Sequence, residues 1–172
     1  MGNHMSKAFV AILMGSDSDW PVMENTYKVL NELNIPVEVK VTSAHRTPAA
    51  THEFVKSAES RGCQVFICAA GLAAHLAGAV AGLTTRPVIG VPMDGGPLNG
   101  QDALLSTVMM PAGVPVATVA IGKAGAKNAA YLAAQMLGIA DPAIAQRVAD
   151  DRKANAEAVI AKDAALQLKL NS

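Results

Sequence analysis

Apolar runs of strand length alternate with longer segments of helical periodicity along most of this chain. Val and Ile are frequent in the apolar runs, as is typical of parallel strands buried on both faces. The predicted strands are residues 8–15, 35–43, 64–71, 86–93 and 114–120. The predicted helices are residues 16–34, 47–62, 72–84, 102–109, 122–138 and 143–170. This alternation predicts an α/β fold: a doubly wound parallel sheet in a three-layer arrangement with helices on both faces.

Capping residues set the predicted helix boundaries. Ser18 or Asp19 is the expected N-cap of the first helix, and Thr47 is that of the second, followed by Pro48 in the first turn. Gly138 is expected to end the fifth helix.

One domain is expected, with an addition at each end. At 172 residues and 51% hydrophobic composition, the chain can form one well-cored unit, assigned to residues 8–138. Residues 1–7 begin with MGNHM, which resembles a tag remnant. Residues 139–172 form a C-terminal helical extension, which can pack on its own domain or on a neighbouring subunit. Its apolar stripe is Ile144, Val148, Val159 and Leu166.

Composition argues against several classes of function. The 14 basic and 14 acidic residues give a net charge of +0, which does not suit a nucleic-acid or membrane-surface binder. No secretory signal or bilayer-spanning apolar segment is visible, so a cytoplasmic protein is expected. Cys63 and Cys68 lack metal-ligand spacing and are expected to be buried free thiols.

Polar or Gly-rich turns follow the first four predicted strands. They are GSDSD at residues 15–19, SAHRTP at 43–48, AGLAAH at 70–75 and MDGGPLNG at 93–100. Because open α/β sheets bind ligands at the carboxyl ends of their strands, these turns together predict one binding site. The last of them is long enough to cover a bound ligand.

The turn at residues 15–19 suits a phosphate group. Its backbone N–H groups and the hydroxyls of Ser16 and Ser18 can hold an anion at a helix start. Asp17 and Asp19 would repel a phosphate, and are better explained as a cap or as partners of sugar hydroxyls. An ordinary N-cap is the alternative interpretation.

Residues 43–48 place a titratable imidazole beside a guanidinium. Arg46 can bind a phosphate or carboxylate through two parallel hydrogen bonds, and His45 can transfer protons near neutral pH. A cation beside a helix N-terminus is electrostatically unfavourable, which indicates a compensating anion. A solvated His–Arg pair on the surface is the alternative.

The third turn, at residues 69–78, has almost no side chains, so a ligand can approach its backbone. His75 follows in an otherwise apolar helix. For this residue a core or interface histidine is a more common explanation than direct catalysis.

Five segments, in this order and spacing, resemble the class I N5-carboxyaminoimidazole ribonucleotide mutases of the phosphoribosylaminoimidazole carboxylase family. They are MGSDSDW, SAHRTP, AAHLAG, LNGQDALLSTVMMPAGVPV and IGKAGAKNAA. The resemblance covers about residues 8–137 and implies a flavodoxin-like fold, a homo-octamer, and no metal or organic cofactor. It also implies a small ribonucleotide substrate of purine biosynthesis, whose carboxyl group moves from an exocyclic nitrogen to ring carbon C4 through released carbon dioxide.

The resemblance implies roles for the polar residues. His45 is the implied catalytic residue, which protonates the leaving nitrogen and later removes the C4 proton. The substrate phosphate is expected against Ser16, Ser18 and Arg46, and the ribose hydroxyls against Asp19.

The third turn is implied to hold the carboxylate and the carbon dioxide through its backbone, at Ala70, Gly71 and Ala73. The implied substrate-binding set is completed by Ser43, Ala44, His75 and Leu76. The chain departs from the family pattern at Leu72, where many members have a second glycine, and at Ala77, where many have proline. Leu72 either points away from the pocket or narrows it.

Two rival hypotheses accompany the mutase. One is a direct carboxylase that adds carbon dioxide to free aminoimidazole ribonucleotide, as the related class II enzymes do. The other is a non-catalytic, flavodoxin-like phosphate-binding module, which would use Arg46 and the serine-rich turn but has no need of His45.

Overall fold

The computed structural model describes residues 8–171, so the predicted tag remnant at residues 1–7 lies outside the described residues. Within residues 8–171 the strands are β1 Phe9–Met14, β2 Val37–Val41, β3 Cys63–Ala70, β4 Val88–Pro92 and β5 Ala117–Thr118. The helices are α1 Trp20–Glu32, α2 Pro48–Ser60, α3 Leu76–Ala81, α4 Gln101–Val108, α5 Lys123–Gly138 and α6 Pro142–Leu170. A short 3-10 turn, Asp17–Asp19, precedes α1.

The strands pair in parallel in the order β2-β1-β3-β4-β5, which confirms the predicted flavodoxin-like, doubly wound sheet. All six residues of β1 are buried. Val10 and Ile12 belong to the core that includes α1 and α5, whereas Ala11 and Leu13 belong to the core that includes α2 and α3. A central strand covered on both faces therefore has no polar positions to alternate with the apolar ones.

Two predicted boundaries were wrong. The fifth strand was expected over residues 114–120 but pairs only at Ala117–Thr118, on an edge where Pro115 cannot donate to the ladder. The third helix was expected to begin at Leu72 but begins at Leu76. Leu72 has a left-handed backbone with φ of 56°, which an α-helix does not accommodate.

Helix α6 packs on its own domain only through its first turns. Ile144 and Val148 are buried in the core beside α5, and Arg147 Nε donates to the carbonyl oxygen of Leu33 at 2.6 Å. Further along the predicted stripe, Val159 is 64% exposed and Leu166 is 51% exposed. The apolar stripe is therefore divided between a packed half and an exposed half.

Both cysteines are buried and free, as predicted. Burial raises the pKa of the Cys63 thiol to about 12, so the thiol stays protonated and unreactive near neutral pH. Across the described residues, no helix is both long enough and apolar enough to cross a membrane.

Gly125, in the first turns of α5, provides a test of this packing. A Cβ atom at this position would overlap the carbonyl oxygen of Ala120, a backbone atom that cannot move without shifting the approach to α5. Gly125→Ala should therefore destabilise the fold by at least about 2 kcal/mol. Thermal unfolding at matched protein concentration measures this, with the exposed Lys127→Ala of the same helix as control. Equal melting temperatures for the two variants would contradict the prediction.

Candidate active site

A cavity of about 730 Å³ lies at the carboxyl ends of the strands, beside the point where the strand order reverses between β1 and β3. The Gly15 N–H donates to the Ala69 carbonyl at 3.0 Å, and the Met93 N–H donates to the Ala70 carbonyl at 2.9 Å. These bonds continue the sheet ladder past the strand ends, so the turns start side by side. The cavity wall includes Ser16, Ser18, Asp19, Ser43, Ala44, His45, Arg46, Ala70, Gly71, Ala73, His75 and Leu76. The structure thus brings together all of the residues proposed from the sequence.

A second cavity of about 760 Å³ lies at the opposite edge of the sheet, where β4 and β5 begin. Its wall is mainly apolar and includes Lys56, Arg86 and Val88, but none of the residues proposed from the sequence. It contains no histidine, so it lacks the imidazole pair that distinguishes the first cavity.

The turn after β1 is held by hydrogen bonds between its own residues. Ser16 Oγ accepts from the Ser18 N–H at 3.2 Å and from the Ser18 hydroxyl at 2.8 Å. Asp19 stands at the N-cap position of α1, as one alternative predicted, but its carboxylate accepts from the Ser16 N–H at 3.2 Å instead of capping α1. Burial raises the pKa of the Asp19 carboxyl; the Ser16 N–H opposes this shift, and the charge of Asp17 adds to it.

A chain of hydroxyl groups orients the turn after β2. Thr42 and Thr51 are buried, and their Oγ1 atoms lie 2.7 Å apart. Thr47 precedes α2 as predicted, but its side chain turns back and accepts from the Ser43 N–H at 2.9 Å. Ser43 Oγ in turn accepts from the Arg46 N–H at 3.1 Å. The backbone that carries His45 and Arg46 is therefore braced from both sides.

Arg46 is exposed at this turn, next to the start of α2. Among residues 8–171, no carboxylate lies within ion-pair distance of its guanidinium. A cation beside a helix N-terminus without an acidic partner has its hydrogen-bond donors available to an anion. The described part of the chain also holds no group of three or more His, Cys, Asp and Glu side chains arranged for a metal ion.

The two cavity histidines contact each other directly. His45 Nε2 and His75 Nδ1 lie 2.7 Å apart, and the rings meet edge to face. One nitrogen of this bond must carry a proton and the other must offer a lone pair. The two histidines are 30 residues apart in the chain, so the sequence did not predict that they contact each other.

Of the two explanations expected for His75, a core or an interface position, the core position was wrong. His75 is exposed and sits at the N-cap of α3, because the preceding residues form a turn and not a helix. The turn is fixed by Ser106 of α4, whose Oγ accepts from the Ala74 N–H at 3.0 Å and donates to the Asp102 carbonyl at 2.7 Å.

Further cavity residues were not individually assigned to the site from the sequence, although most lie in the turns predicted to form it. They are Gly15, Val22, Leu72, Met93, Asp94, Gly95 and Gly96. Most belong to the turns after β3 and β4, and the Gly-rich composition of residues 93–100 was the signal for them. Thr42, Thr51 and Ser106 support the site from outside the wall, and only their hydrogen bonds reveal that role.

Proteins of known name are similar to this sequence over most of its length. The chain is 54% identical over 158 residues to a Mycobacterium tuberculosis protein named N5-carboxyaminoimidazole ribonucleotide mutase, covering 92% of this chain and 90% of the relative. An Escherichia coli protein of the same name is 50% identical, with coverage of 93% and 95%.

A solved structure matches the fold as well. The crystal structure of Treponema denticola PurE superposes with a TM-score of 0.83 at 31% identity, covering 92% of this chain and 98% of the other. The model of the AIR carboxylase family, AIRC, matches residues 9–158. On this match and these identities, the chain belongs to the AIR carboxylase family.

Proposed function

We propose that this protein is an isomerase of purine biosynthesis that moves the carboxyl group of N5-carboxyaminoimidazole ribonucleotide to C4. The product is 4-carboxy-5-aminoimidazole ribonucleotide. The observation that carries the proposal is the His45–His75 pair on the wall of a cavity that Arg46 also lines. The names of relatives that are 50–54% identical support the same reaction.

The substrate phosphate is assigned to Arg46 and the serine turn. The guanidinium has no acidic partner among the described residues, and the hydroxyls of Ser16 and Ser18 line the same cavity. An anion placed there would also meet the positive end of α2. The Asp19 carboxylate is assigned to the ribose hydroxyls, because a carboxylate accepts hydrogen bonds from them but repels a phosphate.

The turn after β3 is assigned to the carboxyl group. Ala70, Gly71 and Ala73 leave the backbone accessible, and backbone N–H groups can stabilise a carboxylate and hold carbon dioxide. Ser43, Ala44, His75 and Leu76 complete the assigned substrate-binding wall.

The reaction needs one proton, which His45 donates to the substrate in the first half and takes back in the second. Cleavage of the N–carboxyl bond leaves its electron pair on the nitrogen, which accepts a proton from His45 as carbon dioxide forms. The ring carbon C4 then attacks the carbon dioxide, and the C4 proton returns to His45. No net proton is consumed, so a single group that holds or releases a proton near neutral pH is sufficient.

The bond to His75 suits such a reversible role. If His45 Nε2 donates to His75, the neutral His45 ring keeps a lone pair on Nδ1 and is a base there. If His75 donates instead, the neutral His45 ring carries its proton on Nδ1 and is an acid there. Exchange of the two roles therefore needs two coupled transfers. As Nδ1 of His45 takes up the C4 proton, the proton on Nε2 passes to His75, which then carries the additional proton; the reverse transfers accompany proton donation to the substrate nitrogen.

Direct carboxylation of aminoimidazole ribonucleotide is the second candidate, because the matching family is described as AIR carboxylase. Both reactions need a phosphate site, a carbon dioxide site and a proton-transfer group. We favour the mutase because the named relatives are mutases, and the closed proton balance described above fits a substrate that brings its own carboxyl group.

A cytoplasmic homo-octamer is part of the proposal. It is supported by the exposed half of α6, where Val159, Ile160, Leu166, Leu168 and Leu170 are each more than half exposed. A helix end that carries so much apolar surface is typical of a subunit contact. The number eight comes from the family resemblance.

His45 can be tested with a matched histidine control. His45→Asn should lower kcat by about 100-fold or more while leaving substrate affinity largely intact, because asparagine can form hydrogen bonds but cannot transfer a proton. His52→Asn changes an exposed histidine of α2 that does not line the cavity, and should have no effect. A His45→Asn enzyme with near-normal kcat would remove His45 from the mechanism.

Retention of the carboxyl carbon distinguishes a mutase from a direct carboxylase and from a non-catalytic binding module. Carbamate substrate labelled with heavy carbon, turned over in unlabelled bicarbonate, should give product that largely keeps the label, as measured by mass spectrometry. Label that falls to the bicarbonate level, or equal rates from free aminoimidazole ribonucleotide and bicarbonate, would identify a direct carboxylase. Absence of turnover from both substrates would identify a binding module.

Assembly through α6 can be tested without disturbing the packed half of the helix. The double variant Val159→Glu/Leu166→Glu should lower the mass measured by light scattering from about eight times the 17.7 kDa chain mass. Two buried charges in a subunit contact are unfavourable unless they are paired. Ala158→Glu/Ala165→Glu adds the same charges to an exposed strip of the helix that carries none of the five exposed apolar side chains, and should leave the mass unchanged. A wild-type protein that is monomeric at micromolar concentration would contradict the proposal outright.

A further inference from the structure

Leu72 occupies a backbone conformation that favours glycine. Its φ is 56°, in the left-handed region, where a Cβ atom is crowded by the neighbouring carbonyl oxygen. Its side chain is 54% exposed and lines the active-site cavity, so the strain is not offset by burial in a core. A strained residue on a cavity wall indicates a role for its side chain.

The Leu72 side chain rests on the backbone of Gly96. A Cβ atom added to Gly96 would lie 2.5 Å from Leu72 Cδ2, closer than two carbon atoms can approach. Only glycine therefore lets the leucine take this position. The contact joins the turn after β3 to the Gly-rich loop after β4, and both line the cavity.

The two sides of this contact are not equally well anchored. The turn that carries Leu72 is fixed to α4 through Ser106, and Gly71 lies against Met93. The loop is anchored at its base, where the buried Gly100 lies close to Met93 and Asp94.

Across residues 8–171, the loop residues 94–99 form no hydrogen bond outside the loop itself and the start of α4. Residues 94–99 are all exposed. In the described structure, the N–H groups of Asp94, Gly95 and Gly96 have no hydrogen-bond partner. The second half of the loop is a turn in which the Asn99 N–H donates to the Gly96 carbonyl at 3.4 Å, and Leu72 supplies a contact from this loop to the turn after β3.

We propose that Leu72 is a positioning residue that holds loop residues 94–99 over the turn at residues 70–73 and thereby retains carbon dioxide between the two halves of the reaction. This inference rests on the proposed function. The loop and the turn line one cavity, and carbon dioxide has no charge for Arg46 or any other cation to hold. A steric barrier is therefore the simplest way to keep it beside C4.

The partition of released carbon dioxide tests this role. After the spontaneous rate is subtracted, wild-type enzyme should convert consumed carbamate mostly to the C4 product. Leu72→Gly and Leu72→Ala should release more free aminoimidazole ribonucleotide, lowering the ratio of product to released ribonucleotide by about tenfold, the scale of coupling between side chains in direct contact. Leu72→Gly also relieves the backbone, so it should not lower the melting temperature. A ratio equal to that of the wild type in both variants would overturn the proposal.

A double-mutant cycle identifies the contact itself. Gly96→Ala should lower the ratio in the wild-type background, because its methyl group displaces Leu72. In the Leu72→Gly background the same change meets no leucine, and only the strain of alanine at a φ of 77° remains, so the loss should be clearly smaller than in the wild-type background. Independent, additive losses would show that Leu72 does not act through Gly96, and would overturn the proposal.

Limited proteolysis supplies a readout that does not depend on the reaction. Chymotrypsin cleavage after the exposed Leu98 should be faster in Leu72→Gly than in the wild type at matched protein and protease concentrations. Equal rates after Leu98 would overturn the proposal even if the enzyme is a mutase. If the wild-type enzyme gives product whose label has exchanged with bicarbonate, the proposed function is wrong, and so is the retention of carbon dioxide. Faster cleavage after Leu98 in Leu72→Gly would still show that Leu72 holds the loop.

Discussion

Parallel pairing of β1 with β2 on one side and β3 on the other is the constraint on which the site depends. Because all strands run in the same direction, the carboxyl ends of β1 to β4 lie at one edge, and so do the turns that follow them. Because the chain moves from β1 first to one neighbour and then to the other, a crevice opens between the turns. Residues from four distant segments can then meet around one substrate without a second domain.

Neutral hydrogen bonds, more than ion pairs, organise the cavity wall. The threonine hydroxyls after β2, the serine pair after β1 and Ser106 under the third turn each fix a backbone segment. This arrangement leaves the Arg46 cation without an internal carboxylate among the described residues. An arginine already neutralised by a carboxylate would bind a phosphate less well, so bracing by hydroxyls suits the phosphate-binding role proposed for Arg46.

Two neighbouring segments of the cavity wall differ in how firmly hydrogen bonds hold them to the rest of the domain. The turn at residues 70–75 is tied to α4, whereas the loop at 94–99 is exposed and touches that turn through Leu72 and Gly96. Such a difference suits a reaction with a small neutral intermediate, since substrate must enter and product must leave, yet carbon dioxide must stay. Helix α6 shows a similar division, with a packed first half and an exposed apolar second half.

The sequence by itself determined the fold class, the edge at which the site lies and the polar residues that line it. Those features depend on short-range patterns: continuous apolar runs for buried parallel strands, and turn residues directly after them. Only the tertiary structure decided which residues support one another. The His45–His75 bond, the Thr42–Thr51 pair and the Leu72–Gly96 contact each join segments that only the fold brings together or orients. For this reason the sequence did not exclude a core position for His75. The length of β5 and the start of α3 were also decided there, because an edge strand and a strained turn depend on neighbours that local periodicity does not describe.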